Sequence, residues 1–128
     1  MIQPSDLHTH SQASDGQYTP RELVGLAKAA GIQCLALTDH DTIDGVEEAV
    51  AAGQDAGITV LRGVEFGASE DRHLHILGLN LASGCVTLEQ LCQTLKDSRN
   101  QRKYRIVDFL EEKGIHIDLK EVEELAGG

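Results

Sequence analysis

The chain has 128 residues and sets 21 acidic side chains against 11 basic ones, a formal net charge of −10. That is the length of one domain, long enough to bury a core, and the charge argues against a broad nucleic-acid-binding surface. A content of 41% hydrophobic and 25% charged residues suits a soluble globular protein, and no apolar run approaches the roughly 20 residues of a membrane span.

The N-terminus lacks the basic and apolar regions of a signal peptide, so a cytoplasmic location with no membrane partner is expected. Cys34, Cys85 and Cys92 form no CxxC motif. They suit a reducing compartment and argue against zinc-finger chemistry, with Cys34 expected to be buried in a strand.

In chain order, residues 3–8 predict a short strand ending in "HTH". Alternation puts His8 and His10 on one face, opposite Leu7. "TPRELVGLAKAAGI" predicts a helix capped by Thr19, with Pro20 at the first position, Glu22 closing a capping box and Gly31 as the stop. Its apolar stripe is expected at Leu23, Leu26, Ala27 and Ala30. "IQCLALTDHD" reads as a strand buried on both faces and "TIDGVEEAVAAGQDAG" as a second helix. "ITVLRGVEFGA" and "RHLHILGLNL" follow as strands three and four.

Strands alternating with helices predict an α/β fold built of parallel βαβ units. "GASEDR" is too short for a helical crossover, so the third and fourth strands either pair as a hairpin or cross over without a helix. Residues 87–113 then carry a long helical periodicity, opened by Thr87 with Gln90 and stopped by Gly114. "IHIDLKEVEELAGG" predicts a strand-like linker and a last helix capped by Asp118 with Glu121.

Every predicted strand ends in, or contains, ligand chemistry. Strand carboxyl ends converge on one rim in parallel α/β architectures, and sites are built there. His8, His10, Asp15, His40 and Glu65 would gather on that rim, and His75 would add a fourth imidazole. Mixed nitrogen and oxygen donors suit Mn, Zn or Fe better than Mg or Ca alone. Carboxylate-bridged clusters commonly hold two or more divalent ions and act on phosphate esters. Asp39 is expected to orient an imidazole from behind, and Asp41 and Asp44 to be helix N-terminal charges. His73 is expected in solvent near the turn, and His116 on the surface.

"DLHTHSQASDGQYTP", "LALTDHDTIDG", "VLRGVEF" and "HLHILG", in that order, resemble the opening motifs of the PHP (polymerase and histidinol phosphatase) family. Within it the likeness is to phosphoesterases of the nucleoside 3′,5′-bisphosphate phosphatase and RNase AM type. The resemblance implies a distorted (β/α)7 barrel with up to three divalent metals, Mn, Zn or Fe, with Mg also compatible. His8 and His10 would hold one metal, with Glu65 bridging to a second that His75 also binds; Asp15 and His40 would hold the third. Metal-activated hydroxide would hydrolyse a phosphorylated small molecule or short nucleic acid, with Arg99, Arg102 and Arg105 as candidate phosphate contacts.

Residues 1–84 would form the first part of the barrel and residues 85–128 the start of a helical insertion. Such barrels take roughly 200 residues or more, so the chain is expected to be the N-terminal portion of a longer enzyme. The exposed edges of a partial barrel could pair copies of the chain into a homo-oligomer. Two alternatives stand beside this reading: a non-catalytic metal-binding or interaction module, and, among enzymes, a histidinol-phosphate phosphatase or a polymerase-associated exonuclease.

Overall fold

The computed structural model describes residues 4–68 and 74–126. Its elements run β1 (Ser5–Thr9), α1 (Pro20–Ala29), β2 (Cys34–Leu37), α2 (Val46–Ala56), β3 (Thr59–Gly67), β4 (His75–Leu79), α3 (Val86–Glu112) and α4 (Leu119–Ala126). One sheet holds the four strands in the order β1-β2-β3-β4. β1, β2 and β3 are parallel, and β4 returns antiparallel to β3. The hairpin alternative is therefore the one realised, with Gly63 opposite Leu79 and Gly67 opposite His75. His73 lies outside the described residues.

Local chemistry explains most boundaries. Thr19 caps α1: its hydroxyl accepts from the Glu22 N–H while the Glu22 carboxylate accepts from the Thr19 N–H, and Pro20 opens the helix. Gly31 follows α1 with φ of 83° and Gly57 follows α2 with φ of 69°, a left-handed conformation that glycine adopts without steric cost. Helix α2 starts at Val46, four residues later than the pattern suggests, and Asp41, in the segment before it, takes a positive φ of 54°. Its N-cap is Gly45, which has no side chain to offer.

Helix α3 begins at Val86 with Cys85 as N-cap, so the expected Thr87–Gln90 capping box does not form. The linker after α3 makes no strand. Asp118 caps α4 as expected, accepting from the Lys120 N–H at 2.9 Å.

The core is aliphatic. Val24 and Ala27 of α1, Leu35 and Leu37 of β2, Val46, Ala49 and Ala52 of α2, and Ile58 pack as one buried cluster. The buried face of α1 is Pro20, Val24 and Ala27. Leu26, expected in the stripe, is 47% exposed, and Ala30 is exposed too. Leu35, Ala36 and Leu37 are all buried, as a central strand covered on both faces requires, whereas Cys34 at its start is only partly covered.

Arg62 of β3 donates to both carboxylate oxygens of Glu47 at 2.9 and 3.0 Å, tying α2 to the sheet. Apolar side chains of the β4 edge stay open, with Leu74 51%, Ile76 57% and Leu79 39% exposed. No helix among the described residues is long and apolar enough to cross a membrane.

Candidate metal centre

The carboxyl ends of β1, β2 and β3 lie side by side, and the backbone there is wired across strands. Beyond the end of β2, His40 forms an isolated parallel bridge with Glu65. The Asp41 N–H donates to the Glu65 carbonyl at 2.9 Å, and the Glu65 N–H donates to the Asp39 carbonyl at 3.1 Å. The register between β1 and β2 slips between Asp6 and Thr9. At that slip the Thr9 hydroxyl donates to the Ala36 carbonyl and the Thr38 hydroxyl to the Thr9 carbonyl, at 2.7 and 3.1 Å. These bonds hold His8, His10 and His40 beside Glu65.

Glu65 is the centre of the site. Its side chain is 2% exposed, yet Oε2 lies 2.8 Å from His8 Nε2, 3.1 Å from His10 Nε2 and 3.7 Å from His40 Nδ1. Oε1 lies 2.5 Å from His75 Nδ1. Burial pushes this carboxyl's pKa up. The hydrogen bonds from His8 and His75, with the charges of His40 and His8, outweigh that and hold it below the ordinary carboxylate range. The four imidazoles touch in series: ring centroids are 5.1 Å apart for His8 and His10, 4.6 Å for His10 and His40, and 5.3 Å for His40 and His75. Asp15, on the loop after β1, stands 3.5 Å from both His10 Nδ1 and His40 Nε2.

All six residues expected as ligands thus come together, in three overlapping groups: His8, His10 and Glu65; His10, Asp15 and His40; His40, Glu65 and His75. Within each group one ligand atom per residue lies within 4.8 Å of the others. The donor set fits divalent cations on a specific ground. His10 Nδ1 is buried and has no hydrogen-bond partner among the described residues, a costly state for a polar atom that a coordinated ion would relieve. Imidazole nitrogens mixed with carboxylate oxygens are the ligands Zn, Mn and Fe take. His116 is exposed and apart from the groups.

Asp39 does something other than orient an imidazole. Its fully buried carboxylate accepts from the Ser11 N–H and hydroxyl at 2.7 Å each, and from the Ser14 hydroxyl at 2.6 Å. Asp41 and Asp44, expected as charges on a helix end, lie before α2 and pair instead with Arg99 and Lys96 of α3. The sequence reading missed Ser11, Ser14 and both ion pairs. The serines on either side of "QA" after "HTH" were a usable signal for a side-chain-braced turn, but the pairs join residues more than fifty positions apart and leave no local trace.

Beside His40 opens a cleft of about 290 Å³, walled by Ser14, Lys96, Arg99, Asn100 and Lys103. Arg102 lines an adjoining hollow with Arg99 and Lys103. Arg105 turns back on its own helix, its Nε 3.4 Å from the Gln101 carbonyl.

Comparison with known proteins agrees with this geometry. The chain is 45% identical over 116 residues to a 5′-3′ exoribonuclease of Haemophilus influenzae, covering 90% of this chain and 42% of the relative. It is 40% identical over 111 residues to a 3′,5′-nucleoside bisphosphate phosphatase of Chromobacterium violaceum, covering 86% of this chain and 39% of the relative. A solved structure from Bifidobacterium adolescentis, described as a metal-dependent phosphoesterase, superposes with a TM-score of 0.76 at 32% identity, over 88% of this chain and 40% of that one. The chain therefore spans about two fifths of the length of these relatives. The PHP domain family model matches residues 6–121, and with imidazoles from three strands meeting one buried glutamate of the fourth, the chain belongs to the PHP domain family.

Proposed function

We propose that the chain carries the metal-binding part of a phosphoesterase that hydrolyses a phosphate ester of a nucleotide or short RNA. The observation that carries this reading is Glu65, a buried carboxylate met by imidazoles from the ends of β1 and β2 and the start of β4. His8, His10 and Glu65 would hold one divalent cation, His40, Glu65 and His75 a second, and His10, Asp15 and His40 a third. Bound cations supply Lewis-acid activation of water and neutralise phosphate oxygens.

The chain's own contribution is to fix the ligands on rigid strand ends and to place cationic side chains beside them. Arg99 and Arg102, with Lys96 and Lys103, line the openings next to His40. There they would receive phosphate oxygens of the substrate, although Arg99 and Lys96 already hold Asp41 and Asp44. Residues 1–84 read as barrel scaffold and residues 85–128 as the insertion that brings these cations over the rim. Mn, Zn or Fe suit the donors.

With Mn²⁺ added, the full-length protein should release phosphate from a nucleoside 3′,5′-bisphosphate or mononucleotides from a short RNA, and His8→Ala should abolish this. Full activity in His8→Ala refutes the assignment. Because the chain spans about two fifths of its relatives, a second reading stands beside the first: residues 1–128 alone form a metal-binding module. Mn²⁺ uptake without turnover by this chain supports that reading.

A further inference from the structure

We propose that Asp39 is a positioning residue for one metal group. Its buried carboxylate grips Ser11 and Ser14 and so sets the path of the chain between His10 and Asp15, and with it the affinity of the His10–Asp15–His40 group for a divalent cation. This rests on the metal reading above.

Ser11 is the hub of the turn. Its carbonyl accepts from the Ser14 and Gly16 N–H groups at 3.1 and 2.9 Å, and its hydroxyl accepts from the Ala13 N–H at 3.2 Å. The whole turn hangs on Asp39 through the Ser11 N–H and hydroxyl. Asp39 is 0% exposed, and no cationic side chain pairs with it among the described residues. A buried carboxylate without a counter-charge is costly unless hydrogen bonds saturate it. Three short donors do so here, all from residues between two ligands.

Ser14 adds a second effect. Its hydroxyl lies 2.6 Å from Asp39 Oδ1 and 3.3 Å from Asp15 Oδ1. A hydroxyl has one proton to donate, and the shorter contact takes it. Asp39 thereby keeps that proton off Asp15, leaving the Asp15 lone pairs free toward His10 and His40. Asp15 has little else to hold it, since its side chain is 66% exposed. The group of His40, Glu65 and His75 holds neither end of this turn and does not depend on the Asp39 side chain in this way, because Glu65 sits in β3 and meets Asp39 only through the backbone.

The test is a Mn²⁺ titration of the whole chain, with bound ions counted by EPR and affinities measured calorimetrically. Asp15→Asn marks which equivalent belongs to the loop group. Asp39→Asn should weaken that same equivalent about 10- to 100-fold and leave the His40–Glu65–His75 equivalent within about twofold. Ser14→Ala should weaken it by up to about tenfold. Should Asp39→Asn fail to fold, Ser14→Ala decides, since Ser14 is only partly buried. Unchanged binding in both variants, or parallel weakening of every equivalent as a purely structural role would give, overturns the inference while leaving the metal reading intact. No Mn²⁺ uptake by the unsubstituted chain sinks the metal reading and this inference together.

Discussion

Gly16 offers a sharp test of how the loop after β1 is held. A Cβ at this position would stand 2.4 Å from the His10 carbonyl oxygen, 2.6 Å from its carbon and 2.8 Å from the Ser11 carbonyl carbon. All three are backbone atoms, so no flexible side-chain tip can swing away. Reaching even 3.0 Å, the limit that real Cβ contacts respect, demands a separation of 0.6 Å between Gly16 and His10. The Gly16 N–H donates to the Ser11 carbonyl at 2.9 Å, and the same movement would stretch that bond to about 3.5 Å, beyond useful hydrogen bonding.

Losing that bond costs about 1 kcal/mol, and overpacking against backbone adds roughly 1–3 kcal/mol. Gly16→Ala should therefore destabilise the chain by about 2–4 kcal/mol. At this length that lowers Tm by roughly 6–20 °C, followed by circular dichroism at 222 nm. His10 belongs to two of the three ligand groups. A shift of 0.6 Å exceeds the tolerance of about 0.2 Å on metal–ligand distances, so Mn²⁺ affinity should fall at least tenfold in both. A variant that melts within about 2 °C of the unsubstituted chain and takes up Mn²⁺ equally well would refute the close-approach argument.

Glu65→Gln keeps the volume but removes the charge that four imidazoles share. It should weaken Mn²⁺ at the two groups containing Glu65 about 100-fold or more while the His10–Asp15–His40 group still binds, and titration showing all equivalents intact would contradict the assignment. The capping box predicts an acid limb in stability. The Thr19 backbone N–H and hydroxyl hold the exposed Glu22 carboxyl below its ordinary pKa of 4.5. A depressed folded pKa means stability that is fully present above the unfolded value and lost as pH falls through the folded one. Urea titrations from pH 7 to pH 3 should show Glu22→Gln with a shallower loss below about pH 4.5, and an unchanged slope would remove the box as its source.

Short-range patterns carried much of this protein. The Thr19–Glu22 box, the glycine stops and the aliphatic run of β2 are readable because a helix cap or a central strand is decided by neighbours a few residues apart. The candidate ligands were readable for a related reason. Paired imidazoles at His8 and His10, "TDHD" and Glu65 sit at strand ends, where polar rings have no structural use. The same reading reached His75 in the fourth strand, and the resemblance of four ordered motifs extended it to a family.

Tertiary structure alone decided what each polar group does. The start of α2 moved to Val46, with Gly45 as its cap, and α3 took Cys85 rather than Thr87 as its cap. Asp39 faces two serines rather than an imidazole, because the turn after β1 brings Ser11 and Ser14 onto its carboxylate. Arg99 reaches the rim while Arg105, on the same helix, does not. Ligand types and helix stops follow from chemistry within a few positions of the chain. Partners across the rim depend on strand register and loop path, which no local pattern encodes.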